Sequence, residues 1–405
     1  MKINITRIMK DLETFATFNQ TPGEGVTRLS FTKEDQQARD YLVEEFNKYQ
    51  LPYYTDGYGT LFAKYGEGKE SFLIGSHFDT VRHGGEYDGI LGVVCGLEVL
   101  RVLQENQVPL RHPLELVCMN DEEGVRFAMG VANSRAMIGE ITTKDLKTYK
   151  DGDQSLEQVM EEFGIEVNLE DAKKDPKDLK GYLELHIEQG PVLDQEDIDI
   201  GIVKTIQGIS RTSITFEGRA GHAGTTPMDM RKDALLAGAE FITHFNHLVK
   251  SYQGPVGTVG ELEITPNTSN VIPGKATIYI DIRGEDFDQV LALTHEALQD
   301  GEKIGKAHGL TVHHSDIYSV PTSEMDKDLM EKIEEACIKN KYSYKIMNSG
   351  AGHDAMNMEK ITPSAMIFVK SEKGISHSPL EYTSPEDIEK GAQVMLDTVL
   401  NILRE

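Results

Sequence analysis

The chain has no tryptophan, only three cysteines, and no apolar run near the roughly 20 residues that a membrane helix needs. Cys95, Cys118 and Cys337 lie far apart without a Cys-x-x-Cys spacing. That excludes a disulfide scaffold and a thiolate metal site, and it points to a reducing, cytoplasmic setting. Basic residues are also scarce: 41 Lys and Arg stand against 67 Asp and Glu, a formal net charge of −26. Nucleic acid and anionic membrane surfaces are therefore excluded as natural partners. The first residues, MKINITRIMKDLETFATF, lack a secretory signal pattern. Ile5, Ile8, Met9 and Leu12 recur at helical spacing and predict an amphipathic helix. No internal repeat or low-complexity linker is visible.

What is present is a 405-residue chain, long enough for two domains. Its first part alternates helical and strand-like segments. Thr32 with Asp35 resembles a capping box, ahead of a helix with Ala38, Tyr41, Leu42 and Phe46 inward. Ile90 to Leu103 reads as a second, apolar helix. Such alternation predicts an α/β domain with a mainly parallel sheet and helices on both faces. Near Gly208 the pattern changes to period two. Ala276, Ile278, Ile280 and Ile282 face one way, and Thr277, Tyr279, Asp281 and Arg283 the other. Two helices, Asp233 to Leu248 and Asp288 to His308, would cover this antiparallel sheet. From about Pro321 the α/β pattern resumes. The expected domains are residues 1–208 and 323–405 together, interrupted by an α+β insert at 209–322.

Chemistry concentrates at the ends of apolar strands. GSHFDTVRHGGEYDG, from Gly75 to Gly89, brings His77, Asp79 and Asp88 into one short segment. His77 and Asp79 are two apart and can share a strand face, so one can bind a metal while the other holds the imidazole from behind. The ordinary alternative is a polar turn, or, for Asp88, a helix cap. Glu122 and Glu123 follow the strand-like PLELVCMN. Adjacent residues point differently, so one could bind metal and the other act as a base; a solvated acidic turn is the alternative. His186 lies in YLELHIEQGPVL, with Gln189 just beyond, and His377 in the loop GISHSP after SAMIFV. Singly, these histidines read as a satisfied core residue and a surface residue. Together the segments supply three His, one Asp and one Glu at separate strand ends, where α/β folds place chemistry.

The motifs GSHFDTV, GGEYDGILGV, NDEEGVRF, LELHIEQGPVL, GRAGHAGTTPMDMRKDAL, PNTSNVIPG, DIRG, SGAGHDA and GISHSP run in order from about Thr27 to Tyr382. In them the chain resembles the metal-dependent amidohydrolases of the aminoacylase and carboxypeptidase superfamily. The branch is that of N-carbamoyl-L-amino-acid hydrolases, beta-ureidopropionases and allantoate amidohydrolases. The resemblance implies two divalent ions, manganese, zinc, cobalt or nickel. His77 and His186 would hold one, Glu123 and His377 the other, and Asp88 would bridge them. Asp79 would support His77, and Glu122 would be the general base. His222, supplied by the partner subunit of a homodimer, would stabilise the oxyanion. Gln189, Asn270 and Arg283 would grip the carboxylate and ureido group of a small anionic substrate. The insert would be a lid that carries the dimer contact. His222, Asn270 and Arg283 have ordinary alternatives in turns and a strand end. His353 and Asp354 match the resemblance without an assigned role, and His83, His112, His313 and His314 read as structural or surface residues.

The activity so implied is hydrolysis of a carbamoyl or ureido C–N bond, releasing ammonia, carbon dioxide and an amino compound. N-carbamoyl-L-amino acids come first and allantoate second, towards which PNTSN leans. A dipeptidase or N-acyl-amino-acid deacylase would use the same metals on another amide, but HIEQGPVL and GHAGTTPM speak against it. A non-catalytic binding protein would not need all five ligand residues and the base.

Overall fold

In the computed structural model, which describes residues 1–404, the chain forms two compact units: Met1–Lys204 with Glu324–Glu405, and Thr205–Ser323. The larger unit is built on a nine-stranded sheet. Four strands at its centre run parallel: Leu114–Met119, Ser71–His77, Leu179–Ile187 and Ser364–Val369, in that spatial order. The flanks are antiparallel. Leu61–Tyr65 pairs with Leu114–Met119, Tyr53–Thr55 with Leu61–Tyr65, and Ile200–Ile206 with Ser364–Val369. The sheet is therefore mixed, where the alternating pattern predicted a mainly parallel one. The reason is connection length. Only a few residues separate Tyr53–Thr55 from Leu61–Tyr65, enough for a hairpin, whereas parallel neighbours need a crossover such as the helix Ile90–Asn106.

That crossover helix is buried along nearly its whole length, which explains its apolar sequence. It lies in one core with helices Ile5–Thr17, Lys33–Lys48, Lys327–Asn340 and Pro385–Leu403, against Phe72, Ile74, Leu116, Leu183, Leu185 and Ile367. The N-terminal helix buries Ile8, Leu12 and Phe15, and Thr32 caps the next helix by accepting from the Asp35 amide. The opposite sheet face carries His77, Tyr182, Glu184 and His186, alternate residues to the apolar set. The short helix Ala355–Met358 covers part of it, with the Ala355 N–H donating to Glu184 at 3.0 Å.

In the second unit, strands Val256–Thr265, Lys275–Gly284, Gly208–Glu217 and Thr311–His314 form an antiparallel sheet, with Tyr318–Val320 also paired to Gly208–Glu217. Helices Ala234–Ser251 and Phe287–Ala307 pack on it, capped by Asp233 and Asp286. Ala276, Ile278, Ile280 and Ile282 face them and are buried. No helix among the described residues is long and apolar enough to cross a membrane.

Candidate metal centre

Each of the four parallel strands delivers a candidate site residue at or beyond its carboxyl end. His77 ends Ser71–His77, His186 is the penultimate residue of Leu179–Ile187, and Glu122 and Glu123 follow Leu114–Met119. His377 lies in the loop after Ser364–Val369, and Asp88 sits just ahead of the crossover helix. Parallel neighbours point their carboxyl ends the same way, so six residues from four separate segments reach one edge of the sheet.

Two groups of ligand atoms result, one from His77, Asp88 and His186, the other from Asp88, Glu123 and His377. In the first, His77 Nε2 is 3.5 Å from Asp88 Oδ1 and 3.5 Å from His186 Nε2, and His186 Nε2 is 3.3 Å from Asp88 Oδ1. Corners about 2.1 Å from the centre of a tetrahedron are about 3.4 Å apart, so three corners of a zinc-like coordination sphere are already set. In the second, His377 Nε2 is 3.6 Å from Asp88 Oδ2 and 3.4 Å from Glu123. His77 Nδ1 meets the Asp79 carbonyl at 3.1 Å, and His186 Nδ1 the Ile187 carbonyl at 2.9 Å. Each ring thus carries its hydrogen on Nδ1 and turns the Nε2 lone pair inward. The Gly89 N–H, donating to His186 Nε2 at 3.2 Å, agrees with that tautomer. Asp88 Oδ1 and Glu123 Oε1 are buried without a hydrogen-bond partner. A bare, buried Asp88 oxygen facing two imidazole nitrogens, with a second bare carboxylate oxygen on Glu123, is a donor set that fits divalent metal.

Charge crowding tells the same story. Burial and the neighbouring Glu123 push the Glu122 carboxyl well above its ordinary range, and burial with Asp88 does the same to Glu123. Burial alone would lower His77, but Glu122, Asp79 and Asp88 outweigh it and raise it well above normal. For Asp88 the burial penalty is overcome by His186 and His77, which hold it well below the carboxylate range.

Glu122 Oε2 lies 3.8 Å from His77 Nε2, beside the first group. Asp79 does more than face His77. Its carboxylate is 3.5 Å from His77 Nδ1 and also accepts the backbone amides of Glu122 and Glu123 at 3.1 and 3.2 Å. Gln189 donates from Nε2 to Asp88 Oδ2 at 2.6 Å. His222, Asn270 and Arg283 belong to the second unit. There His222 is exposed and accepts the amides of Gly224 and Thr225 on Nδ1, next to Asn270, whose carbonyl takes the Ala223 amide. Arg283 is paired with Asp281 at 2.9 Å.

Some supports escaped the sequence reading. Glu381 accepts the amides of Tyr87 and Asp88 at 3.0 Å each, and Ser376 Oγ lies 2.8 Å from Asp88 Oδ2 and 3.1 Å from Glu381. A Cβ at Gly85 would strike Glu381, and one at Gly89, where φ is +65°, would strike the His77 ring, which explains the glycines around Asp88. His353 stacks edge-on against His186, with ring centres 4.6 Å apart, and bonds Ser349 at 3.0 Å. Glu184 shares the His186 strand face and accepts from Ser76 at 2.7 Å. The period-two spacing of Glu184 and His186 was the one available signal for it.

Residues 73–401 match the model of Peptidase family M20/M25/M40. The chain belongs to this family. It is 35% identical over 403 residues to the N-carbamoyl-L-amino-acid amidohydrolase of Paenarthrobacter aurescens, covering 98% of this chain and 97% of that protein. It is 34% identical over 413 residues to the allantoate amidohydrolase of Bacillus subtilis, covering 99% and 98%. A crystal structure of an amidase of the hydantoinase/carbamoylase family from Burkholderia multivorans superposes with a TM-score of 0.91 at 34% identity, covering 99% of this chain and 98% of that one. The M20 member described here is thus a hydrolase of C–N bonds, an amidohydrolase of the carbamoylase and allantoate amidohydrolase branch.

Proposed function

We propose that the protein hydrolyses the carbamoyl C–N bond of an N-carbamoyl-L-amino acid or a related ureido acid, taking up one water and releasing ammonia, carbon dioxide and the amino compound. The observation that carries this reading is the pair of donor groups sharing Asp88, with Glu122 beside the first. His77, Asp88 and His186 would hold one divalent ion, and Asp88, Glu123 and His377 a second. Ions held there supply Lewis acidity and lower the pKa of water from about 16 towards 7. Glu122 takes the proton of the attacking water and passes it to the leaving nitrogen; its buried, acid-crowded position suits a group that must accept one. Asp79 keeps the Glu122–Glu123 backbone in place.

Residues 205–323 act in this reading as a lid and dimer contact. His222, from the partner subunit, stabilises the oxyanion, while Gln189, Asn270 and Arg283 hold the substrate's carboxylate and ureido group. A planar guanidinium suits a bidentate carboxylate grip. A cytoplasmic location fits the three free, buried cysteines.

Allantoate is the second substrate reading, supported by the relative from Bacillus subtilis, whose identity to this chain nearly equals that of the carbamoylase. One panel tests both. Ammonia release is measured from N-carbamoyl-L-amino acids, beta-ureidopropionate and allantoate after loading with manganese, zinc, cobalt or nickel. Metal-dependent release from one class is expected. Undiminished activity in fully chelated protein, or no release from any of them, would overturn the reading.

A further inference from the structure

The two oxygens of Asp88 live in different surroundings. Oδ1 faces the two imidazole nitrogens and has no hydrogen-bond partner. Oδ2 lies within reach of two donors, Gln189 Nε2 at 2.6 Å and Ser376 Oγ at 2.8 Å. A carboxylate oxygen offers about two lone-pair directions, so two donors leave nothing for a cation on that side. The Gln189 nitrogen must be the atom that faces Asp88, because an amide oxygen there would repel the carboxylate.

The two donors differ in what they can do next. The Ser376 hydroxyl has a second acceptor, Glu381, 3.1 Å away, so a simple rotation frees Asp88. Gln189 has no such exchange. Its own Oε1 is buried without a partner, and its backbone sits at φ +57°, left-handed and unfavourable for a side chain of this size. Ser371 Oγ accepts the Gln189 amide at 3.0 Å and Val369 the Glu188 amide at 2.9 Å, which pin the residue in that conformation. Strain kept by flanking hydrogen bonds serves to aim a side chain, here at Asp88 Oδ2.

We propose that Gln189 is a latch on Asp88: its carboxamide controls filling of the Asp88, Glu123 and His377 group and leaves the His77, Asp88 and His186 group untouched. This rests on the two-ion reading above. It adds a task to Gln189 beyond contact with substrate, and makes it a positioning residue towards the second ion.

The test is calorimetric titration of metal-stripped protein with manganese and, separately, zinc. Wild type should bind two ions, the second more weakly. Gln189→Ala and Gln189→Gly, which both delete the carboxamide while the glycine also removes the backbone strain, should each tighten the second ion by about tenfold and leave the first unchanged, the scale of one hydrogen bond to a charged group. Ser376→Ala should move the second ion by less than about threefold, because the hydroxyl has another acceptor. Thermal melting in chelator establishes that each variant is folded. An unchanged or weaker second ion in both Gln189 variants, or a larger gain from Ser376→Ala than from Gln189→Ala, would overturn the latch. Failure of wild type to bind two ions would instead overturn the reading on which it rests.

Discussion

In the His77, Asp88 and His186 group every side chain is buried and two of the three sit on strands, whereas in the Asp88, Glu123 and His377 group both partners of Asp88 come from loops and His377 leaves 48% of its side chain exposed. The first group is set by neighbouring parallel strands, whose register fixes both imidazoles once the sheet forms. The second depends on loops held by hydrogen bonds, with His377 at φ +54° and Asp121, just ahead of the acidic pair, at φ +60°. One carboxylate thus joins a pre-built half to an adjustable half. The rigid half suits tight retention of an ion, and the adjustable half suits a group that must admit substrate and release product.

The largest expected effect belongs to the proposed base beside the buried half. Glu122→Gln keeps size and shape but removes the proton acceptor, and turnover should fall by about 10²- to 10⁴-fold. Metal content, measured by elemental analysis, should stay at two ions, because Glu122 belongs to neither donor group. More than a few per cent of residual turnover would sink the assignment.

The next comparison sets the halves directly against each other. An ion present at a hundred times its dissociation constant stabilises a protein by about 2.7 kcal/mol. His186→Ala should forfeit that stabilisation, seen as a lost rise in melting temperature when metal is added to stripped protein. His377→Ala should retain it, because the buried group stays whole. Equal losses in the two variants would erase the distinction drawn here.

The convergence of these residues at one edge of the sheet is largely legible in the sequence. His77 and His186 sit at strand ends, and Asp88, Glu122, Glu123 and His377 lie in the segments that follow strands; such ends are readable from apolar runs that stop at polar residues. The order of the motifs along the chain added what no single histidine could. What was not legible depends on loop geometry. Glu381 sits four residues after His377 in a segment without periodicity, yet it gathers two backbone amides beside Asp88. Its partners are created by the path of the chain, and no side-chain pattern announces a backbone donor. The antiparallel flanks of the sheet escaped for a similar reason: a buried antiparallel strand such as Ile200–Ile206 and a buried parallel strand both read as short apolar runs. The smaller unit was easier, because one open face gave its strands the period of two that separates Ile278 and Ile280 from Tyr279.

Arg283 tests whether the second unit takes part in binding. It lies on a strand of that unit, half-exposed and paired with Asp281 at 2.9 Å, a contact worth about 0–1 kcal/mol to stability. Arg283→Ala should stay folded and melt within several degrees of wild type. If the guanidinium grips the substrate carboxylate, kcat/KM should still fall by about 10- to 100-fold, mostly through KM. Unchanged KM would remove Arg283 from the substrate site and leave the metal-bearing unit to bind the carboxylate by itself.

The smallest effect should come from Asp79→Asn, which probes how the rigid half holds the adjustable one. Asp79 Oδ1 and Oδ2 each accept a backbone amide, from Glu122 and Glu123, and Oδ1 lies 3.5 Å from His77 Nδ1. The carboxylate therefore ties strand-borne His77 to the loop that carries Glu122 and Glu123. Asparagine keeps the shape but has one acceptor oxygen, so one of the two amides must face an NH2 group. Loss of such a support behind a metal ligand costs roughly 10- to 100-fold in activity or metal affinity. The lower end, about tenfold, is expected here, because the Asp79 carbonyl still accepts from His77 at 3.1 Å and the ring keeps its tautomer. The loss should fall on kcat and on the ion at Glu123, and spare the ion at His77 and His186. A variant that weakened only the ion at His77 and His186 would show that Asp79 acts through the imidazole alone, and that the two halves are held together by something other than this carboxylate.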